Sequence, residues 1–549
     1  MTAMAAAGDN AEPSPAPELG RSVALNSSAV AASQVAIVAI GLILTPFIVN
    51  RLGLVLFGLW GFVTTTVAFL SVLDPGLGSI VIRYGAQAAH RDDSRFAARL
   101  TTLGLIVWLG LGVVLSPLLL VVVPPLISSL HVVSGEVLPA HLVHTAEWFF
   151  AWGYAYLFVT AASSILGCRL IAAGEQWIVT IIGLASRFIY AGAMVGFLAS
   201  GAGLWGVALA STIQTLSVIL ATVVVTARRH RTVVANPIIL GRATMAEMLR
   251  FGGLVQLSGI LDALNYDTDP IVLGRFVSVT AAGLYQLGSR AASQIAYLVA
   301  IPQQSLLQTF SRRAGGAATP DDVRAPAIQA SRYMGLAALA TAGAVAAGAP
   351  WLLRIWLGRP YDGLESVLLL LLALQVVNAA RSNCAIVIVA LGKAGLGARA
   401  KAIAVVVNAL ATVALVIPFG ITGVLVGTIA ASAVQNAFLI RRYAAMLETS
   451  VRTVLWQWYG PLLAVTGVAL LCARVIGLAL PHGPHLSLVL ASGGAAATVA
   501  TFGLVFAAGL RRIGYLHHDD LAYLSEILPG PLGRIPRWSI VHMVTRGER

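Results

Sequence analysis

Apolar runs of about 20 residues follow one another along nearly the whole chain, each closed by a short polar turn, and that is the length an α-helix needs to cross a bilayer. Reading the chain in such windows predicts about 14 membrane spans. The first covers 25–48 and the second 55–73, joined by NRLG. In LDPGLGSIVIRY, residues 73–84, Pro75, Gly76 and Gly78 are expected to bend or interrupt the helix. Residues 1–21 contain PSPAPE and the acids Asp9, Glu12 and Glu18, which predicts a disordered tail and not a cleaved signal peptide. At the other end, 511–549 reads as an amphipathic tail lying in the interface, where Trp538 and the arginines suit the headgroup zone.

The polar turns alternate in charge. Loops with Arg228, Arg229, Arg231, Arg242 and Arg250, with Arg312 and Arg313, with Lys393, Arg399 and Lys401, and with Arg441, Arg442 and Arg452 are basic. Between them lie the connections 126–146, with His131, His141 and His144 but no Lys or Arg, and the uncharged SGAG at 200–203. Basic loops stay on the cytoplasmic side, so both termini are expected there. Arg354 and Arg359, beside Asp362, break the pattern on the external side.

The chain also repeats itself. PFIVNRLGLVLFGLW (46–60) parallels PIVLGRFVSVTAAGLY (270–285), with a basic residue five positions after each proline and one inserted residue. GLWGVALASTI (203–213) parallels GITGVLVGTI (420–429). Offsets of about 220 residues give two halves of six spans each, and an even number per half leaves both in the same orientation, related by a pseudo-two-fold axis along the membrane normal. The expected fold is therefore an all-α polytopic membrane protein with bundles at 22–230 and 231–450, two additional spans within 451–510, and the tails 1–21 and 511–549. Two bundles facing one another enclose a central cavity.

Composition narrows the class. With 549 residues, 58% hydrophobic and only 10% charged, and a mean hydropathy of +0.87, the chain is excluded from the soluble globular proteins. The net charge of +13 follows from the basic loops and does not point to nucleic acid. Cys168, Cys384 and Cys472 fall in or beside apolar segments without pairing or metal-ligand spacing, as small buried hydrophobes do. No GxxxxGK[ST] phosphate loop occurs, the histidines lack metal-site spacing, and the external loops are mostly too short for chemistry on the far side. No cofactor is expected, and the pattern favours moving a substrate over converting it.

The candidate chemistry lies in charges placed at membrane depth, where an ionised side chain costs about 2.5–3.5 kcal/mol or more unless it faces protein, water or a counter-ion. Arg187, Arg290 and Arg381 each sit well inside a span among Ala, Ser and Gly. One reading has them lining the cavity to bind a phosphate or acidic sugar, because guanidinium matches phosphate oxygens in pairs. The other has them pairing with Asp262, Asp267, Asp269 or Glu147 to hold the bundles together. The three aspartates are also candidates for proton or cation coupling, since a carboxylate buried away from water readily takes up either. Asn26, Gln34, Gln375 and Asn378 are available to sugar hydroxyls, or serve as helix-packing contacts.

Four motifs carry a resemblance: NRLGLVLFGLW (50–60), LDPGLGSIVIRY (73–84), DPIVLGRF (269–276) and AAGLYQLGSR (281–290). They resemble the polysaccharide-transporter branch, the Wzx-like flippases, of the multidrug/oligosaccharidyl-lipid/polysaccharide (MOP) exporter superfamily, over roughly residues 22–450. The resemblance implies a V-shaped, MATE-like two-bundle fold. It further implies translocation of an undecaprenyl-pyrophosphate-linked oligosaccharide, an O-antigen, capsule or exopolysaccharide unit, from the inner to the outer leaflet of a bacterial plasma membrane. Expected partners are this lipid-linked oligosaccharide and membrane lipids, with a polysaccharide polymerase and glycosyltransferases acting alongside. Arg83, Asp269 and Arg290 stand at positions the family commonly fills with charge, so Arg83 joins the candidate cations. No sodium-site pattern carries over. A drug or organic-cation exporter of the same superfamily, and a membrane glycan polymerase or ligase, are the alternatives; the first predicts a more apolar or acidic cavity.

Overall fold

The computed structural model describes residues 17–74, 76–89, 91, 93–133, 136–230, 233–236, 242–293, 320–390, 393–480 and 487–515. The expectations for residues 1–16 and 516–549, and for Pro75, Arg231, Arg312 and Arg313, lie outside that set, as does the side chain of Asn26. In chain order come α1 (Pro17–Ala68), a 3-10 turn (Phe69–Leu73), α2 (Leu77–Ala89), α3 (Ser94–Ser128), α4 (Ala140–Ala172), α5 (Gln176–Ala199) and α6 (Gly203–His230). Then follow α7 (Arg242–Tyr266), α8 (Asp269–Phe276), α9 (279–293), α10 (Pro320–Leu357), α11 (Leu364–Ala390) and α12 (Ala394–Met446). A π-helical turn (Thr453–Tyr459), α13 (Gly460–Ala479) and α14 (Leu488–Arg512) complete the order.

Among the described residues ten helices are long and apolar enough to cross a membrane, but two of these, at 41 and 52 residues, are too long for one crossing. At 1.5 Å per residue they would extend about 60 and 80 Å, against a hydrocarbon core of about 30 Å. Each breaks at a glycine with positive φ, Gly53 at 79° and Gly420 at 55°, a conformation open to a residue without Cβ. Beyond Gly420 the arms of α12 run back along each other: a Cβ on Gly423 would lie 2.1 Å from the Leu415 carbonyl oxygen, and one on Gly427 3.1 Å from the Thr412 nitrogen. Splitting both gives twelve spans among the described residues, and α7 with α8, and the described part of α9, stand where the remaining two of the fourteen predicted spans fall.

Some local features differ from expectation. α1 begins at Pro17, inside the stretch read as a tail. Two short antiparallel strands, β1 (His131–Val133) and β2 (Glu136–Val137), lie between α3 and α4, where the sequence sets β-branched valines. The interruption expected in LDPGLG is present: Asp74 accepts from the backbone N–H of Gly76 and of Leu77, both at 3.0 Å, and so starts α2.

Helices α1–α6 pack among themselves, as do α7, α8 and α10–α12, while α13 and α14 pack on each other and on α10. Arg474 of α13 bridges to Glu365 of α11 at 2.6 Å and ties the added pair to the second half.

The pseudo-two-fold is visible in single residues. Gly203 and Gly420, aligned by the repeat, share a φ of 55°. Gly58 and Gly283, also aligned, touch: a Cβ on Gly58 would fall 2.1 Å from the Val279 carbonyl oxygen, and one on Gly283 2.7 Å from that of Leu54. Leu54 and Val279 are themselves equivalents, so the contact is reciprocal, as at any two-fold interface. The axis runs between these glycines. At the opposite, arginine-rich end of the helices, the connection between halves is fastened to the first half. Arg169 Nη1 donates to Val233 O (2.9 Å), Ala235 N to Thr102 Oγ1 (3.1 Å) and Arg99 Nε to Asn236 O (3.1 Å). There α7 also meets the first half, through Tyr84 to Glu247 (3.3 Å) and Gln256 to the Ser71 carbonyl (2.9 Å).

Candidate functional site

The two halves enclose a cavity of about 340 Å³ between α1 and α5 on one side and α9 and α10 on the other. Its apolar floor is Ile37, Ile40, Leu44 and Ile48 of α1, and its polar wall is Arg187 and Tyr190 of α5 with Arg290 and Ser293 of α9. Trp60 and Trp356 frame it, and among the described residues no Asp or Glu lines it. The Arg290 guanidinium lies 4.4 Å from the ring centre of Trp60 and 5.0 Å from that of Phe57, so a cation of the second half is held over aromatic faces of the first. Trp356 Nε1 donates to Leu42 O (2.6 Å) and Asn50 Nδ2 to Leu357 O (3.2 Å), closing the wall across the interface. Gln286 of α9 donates to Thr65 of α1 at 3.2 Å beside it. Arg187 and Arg290, read from sequence as separate intramembrane cations, thus meet in one central chamber.

Arg381 does not join them. It lies in a second pocket of about 460 Å³, wholly within the second half, with Asp262 and Tyr266 of α7, Ser382 of α11, and Lys401 and Gln435 of α12. Arg381 Nη1 donates to Gln435 Oε1 (3.3 Å), its guanidinium lies 5.5 Å from the Tyr266 ring centre, and Tyr266 in turn reaches Asn378 at 3.4 Å. Asp262 pairs with Lys401 at 2.5 Å, and Lys401 also donates to Ser258 (2.7 Å). Lys401, counted from sequence as a loop charge, stands in the first turns of α12 and takes the partner role expected of an arginine. Arg83 is in neither pocket; it is exposed on α2 with its guanidinium 4.3 Å from the Phe251 ring centre on α7.

The three aspartates separate as well. Asp267 is exposed. Asp269 is fully buried at the start of α8, accepting from the hydroxyls of Tyr285 (3.0 Å) and Thr428 (3.0 Å). Around it stand Asn408, 3.3 Å from Thr428 and donating to Asn265 O at 2.8 Å, and Thr412, donating to Asn408 Oδ1 at 3.1 Å. Asp269 has no ion pair among the described residues, so its charge is met by a cage of neutral oxygens alone. Sequence reasoning missed Asn408, Thr412 and Thr428. The available signal was Asn408 and Thr412 four apart, on one face of the otherwise apolar VVVNALATVAL.

Solved structures share this polytopic fold of two pseudo-symmetric halves. Lipid II flippase MurJ in an inward closed conformation superposes with a TM-score of 0.62 at 10% identity, covering 89% of this chain and 99% of that one. An inward-facing multidrug resistance MATE family transporter of the MOP superfamily gives 0.54 at 15% identity, covering 76% and 96%. The Vibrio cholerae MATE transporter VcmN gives 0.53 at 17%, covering 78% and 97%. A search of curated proteins gave no significant match. Residues 23–312 match the family described as polysaccharide biosynthesis protein, and the chain belongs to that family.

Proposed function

We propose that the protein is a secondary flippase that carries a polyprenyl-pyrophosphate-linked oligosaccharide across the bacterial inner membrane by alternating access, with both termini in the cytoplasm. The observation that carries this reading is the central chamber. Two guanidinium groups from opposite halves, with a phenol and, among the described residues, no carboxylate, form a site for a dense anion, and the pyrophosphate is the one fixed charge of such a substrate. Arg187 and Arg290 hold the pyrophosphate, Arg381 in the second pocket meets the glycan, and the polyprenyl tail stays in lipid. The halves 22–230 and 231–450 rock against each other, and α13 and α14 ride on the second.

Proteoliposomes loaded with a fluorescent polyprenyl-pyrophosphate oligosaccharide test this directly. Protein-dependent exposure of label to an impermeant glycan oxidant in the opposite leaflet is expected. Equal exposure in empty vesicles, or expulsion of organic cations in its place, overturns the assignment, because a chamber lined by arginines repels cations.

Asp269 is the coupling residue of this proposal. Its neutral oxygen cage suits a proton or a small cation, the two charges that neutralise a carboxylate where no protein cation does. Asp269→Asn is expected to leave substrate binding within about twofold while removing the response of flipping to an imposed ion gradient. A gradient response equal to wild type would exclude Asp269 from coupling.

A further inference from the structure

Helices α3 and α4 touch closely along one stretch and then part. Where they touch, a Cβ on Gly112 would lie 2.8 Å from the Phe158 ring, and the Tyr154 hydroxyl donates to Gly112 O at 2.6 Å. Beyond Gly112, α3 contains Pro117, Pro124 and Pro125, each of which removes a helical hydrogen bond and turns the axis. The result is a cleft of about 640 Å³ between Ser116–Pro124 of α3 and His144–Ala151 of α4, a size typical of pockets holding small ligands, about 300–1,000 Å³. Its wall is apolar, formed by Pro117, Val123, Pro124 and Ala151.

One edge of the cleft is polar: His144, Glu147 and Trp148. Trp148 is 58% exposed, and its Nε1–H donates to His144 Nε2 at 3.1 Å, which fixes the indole and requires that nitrogen of His144 to be unprotonated. Glu147 has no ion pair among the described residues. α4 has 33 residues and is therefore about 50 Å long, so it overhangs a hydrocarbon core of about 30 Å by roughly 10 Å at each end when centred. Glu147 stands seven residues in from Ala140, about 10 Å along the axis, at the boundary between hydrocarbon and headgroups. A carboxylate at that level meets lipid headgroups, and no cation among the described residues pairs with it.

We propose that this cleft binds a phospholipid whose headgroup ends in a primary ammonium. The ammonium donates hydrogen bonds to Glu147 and rests against the face of Trp148, and an acyl chain fills the proline-walled cleft. The site is separate from the transport chamber, facing lipid on the flank of the first half, and fits a lipid that stays bound through the cycle.

The test reconstitutes the full-length protein in vesicles of equimolar ethanolamine- and glycerol-headgroup phospholipid and reads the retained lipid by native mass spectrometry. Wild type is expected to keep the ethanolamine lipid in preference. Glu147→Gln, which preserves shape, should lower that preference about tenfold, the effect of losing one charge-assisted hydrogen bond. Glu147→Lys should turn it toward the glycerol lipid, and Trp148→Leu should weaken it while leaving its sign. Equal retention of both lipids by wild type, an unchanged preference in Glu147→Gln, or dimers sealed through this face in place of lipid would each overturn the assignment.

Discussion

Alanine at Gly58 is expected to destabilise the protein more than alanine at Gly283, the glycine that faces it across the interface between halves. The new methyl group would begin 2.1 Å from the Val279 carbonyl oxygen and within 3.1 Å of the Gly283 backbone, and neither can rotate away as a side chain does. Overpacking a well-filled core costs about 1–3 kcal/mol, and a clash with rigid main chain belongs at or above the upper end. Gly283→Ala, with its methyl 2.7 Å from the Leu54 oxygen, should be nearly as harmful. Gly253, whose Cβ would meet nothing within 4 Å, is the control, and its alanine variant should gain up to about 1 kcal/mol from helix propensity. Thermal unfolding in detergent, followed by loss of monodisperse protein, ranks the three. Melting temperatures for Gly58→Ala at or above that of wild type would mean that the halves do not meet backbone to backbone.

The second large effect is expected at Arg290. Its guanidinium is committed on one side to the rings of Trp60 and Phe57 and turned on the other toward the chamber shared with Arg187. Lysine keeps the charge but has no planar face to stack and no paired donors for a pyrophosphate. Arg290→Lys should therefore resemble Arg290→Ala. Truncating one partner of a buried charge pair costs about 2–5 kcal/mol, so flipping in proteoliposomes should fall about 30-fold or more in both variants at unchanged expression. Arg187→Ala should fall less, because Arg187 is more exposed and lacks the aromatic brace. Full flipping by Arg290→Lys would reduce the requirement to positive charge alone. Full flipping by Arg290→Ala would remove the chamber from the transport path.

Much of this architecture is written in the order of residues. Hydrophobic length fixes the spans, and the parallel between PFIVNRLGLVLFGLW and PIVLGRFVSVTAAGLY foretells a two-fold, whose axis proves to pass between the glycines that the alignment equates. Arg187 and Arg290 were visible as costly charges at membrane depth. What a linear reading does not contain is which charges meet. Asp262 and Lys401 are 139 residues apart, and Lys401 follows a basic turn, so counting loop charges absorbs it before its helix is known. Asn408, Thr412 and Thr428 escape for another reason: single amides and hydroxyls in membrane helices are common packing groups. Only the fold places three of them about one carboxylate. Arg381 shows the converse, since depth alone groups it with the chamber cations and helix geometry assigns it to another pocket.

The fastening of the connection to the first half limits how far the protein can open. Asn236 is the last described anchor of the connection, and α7 begins at Arg242, six residues on. A fully stretched peptide of that length reaches about 20 Å. Whatever swing the bundles make, the start of α7 stays on this short leash, so the widest mouth at the arginine-rich end must form on the side away from it, which is where the glycan of the proposed substrate would enter.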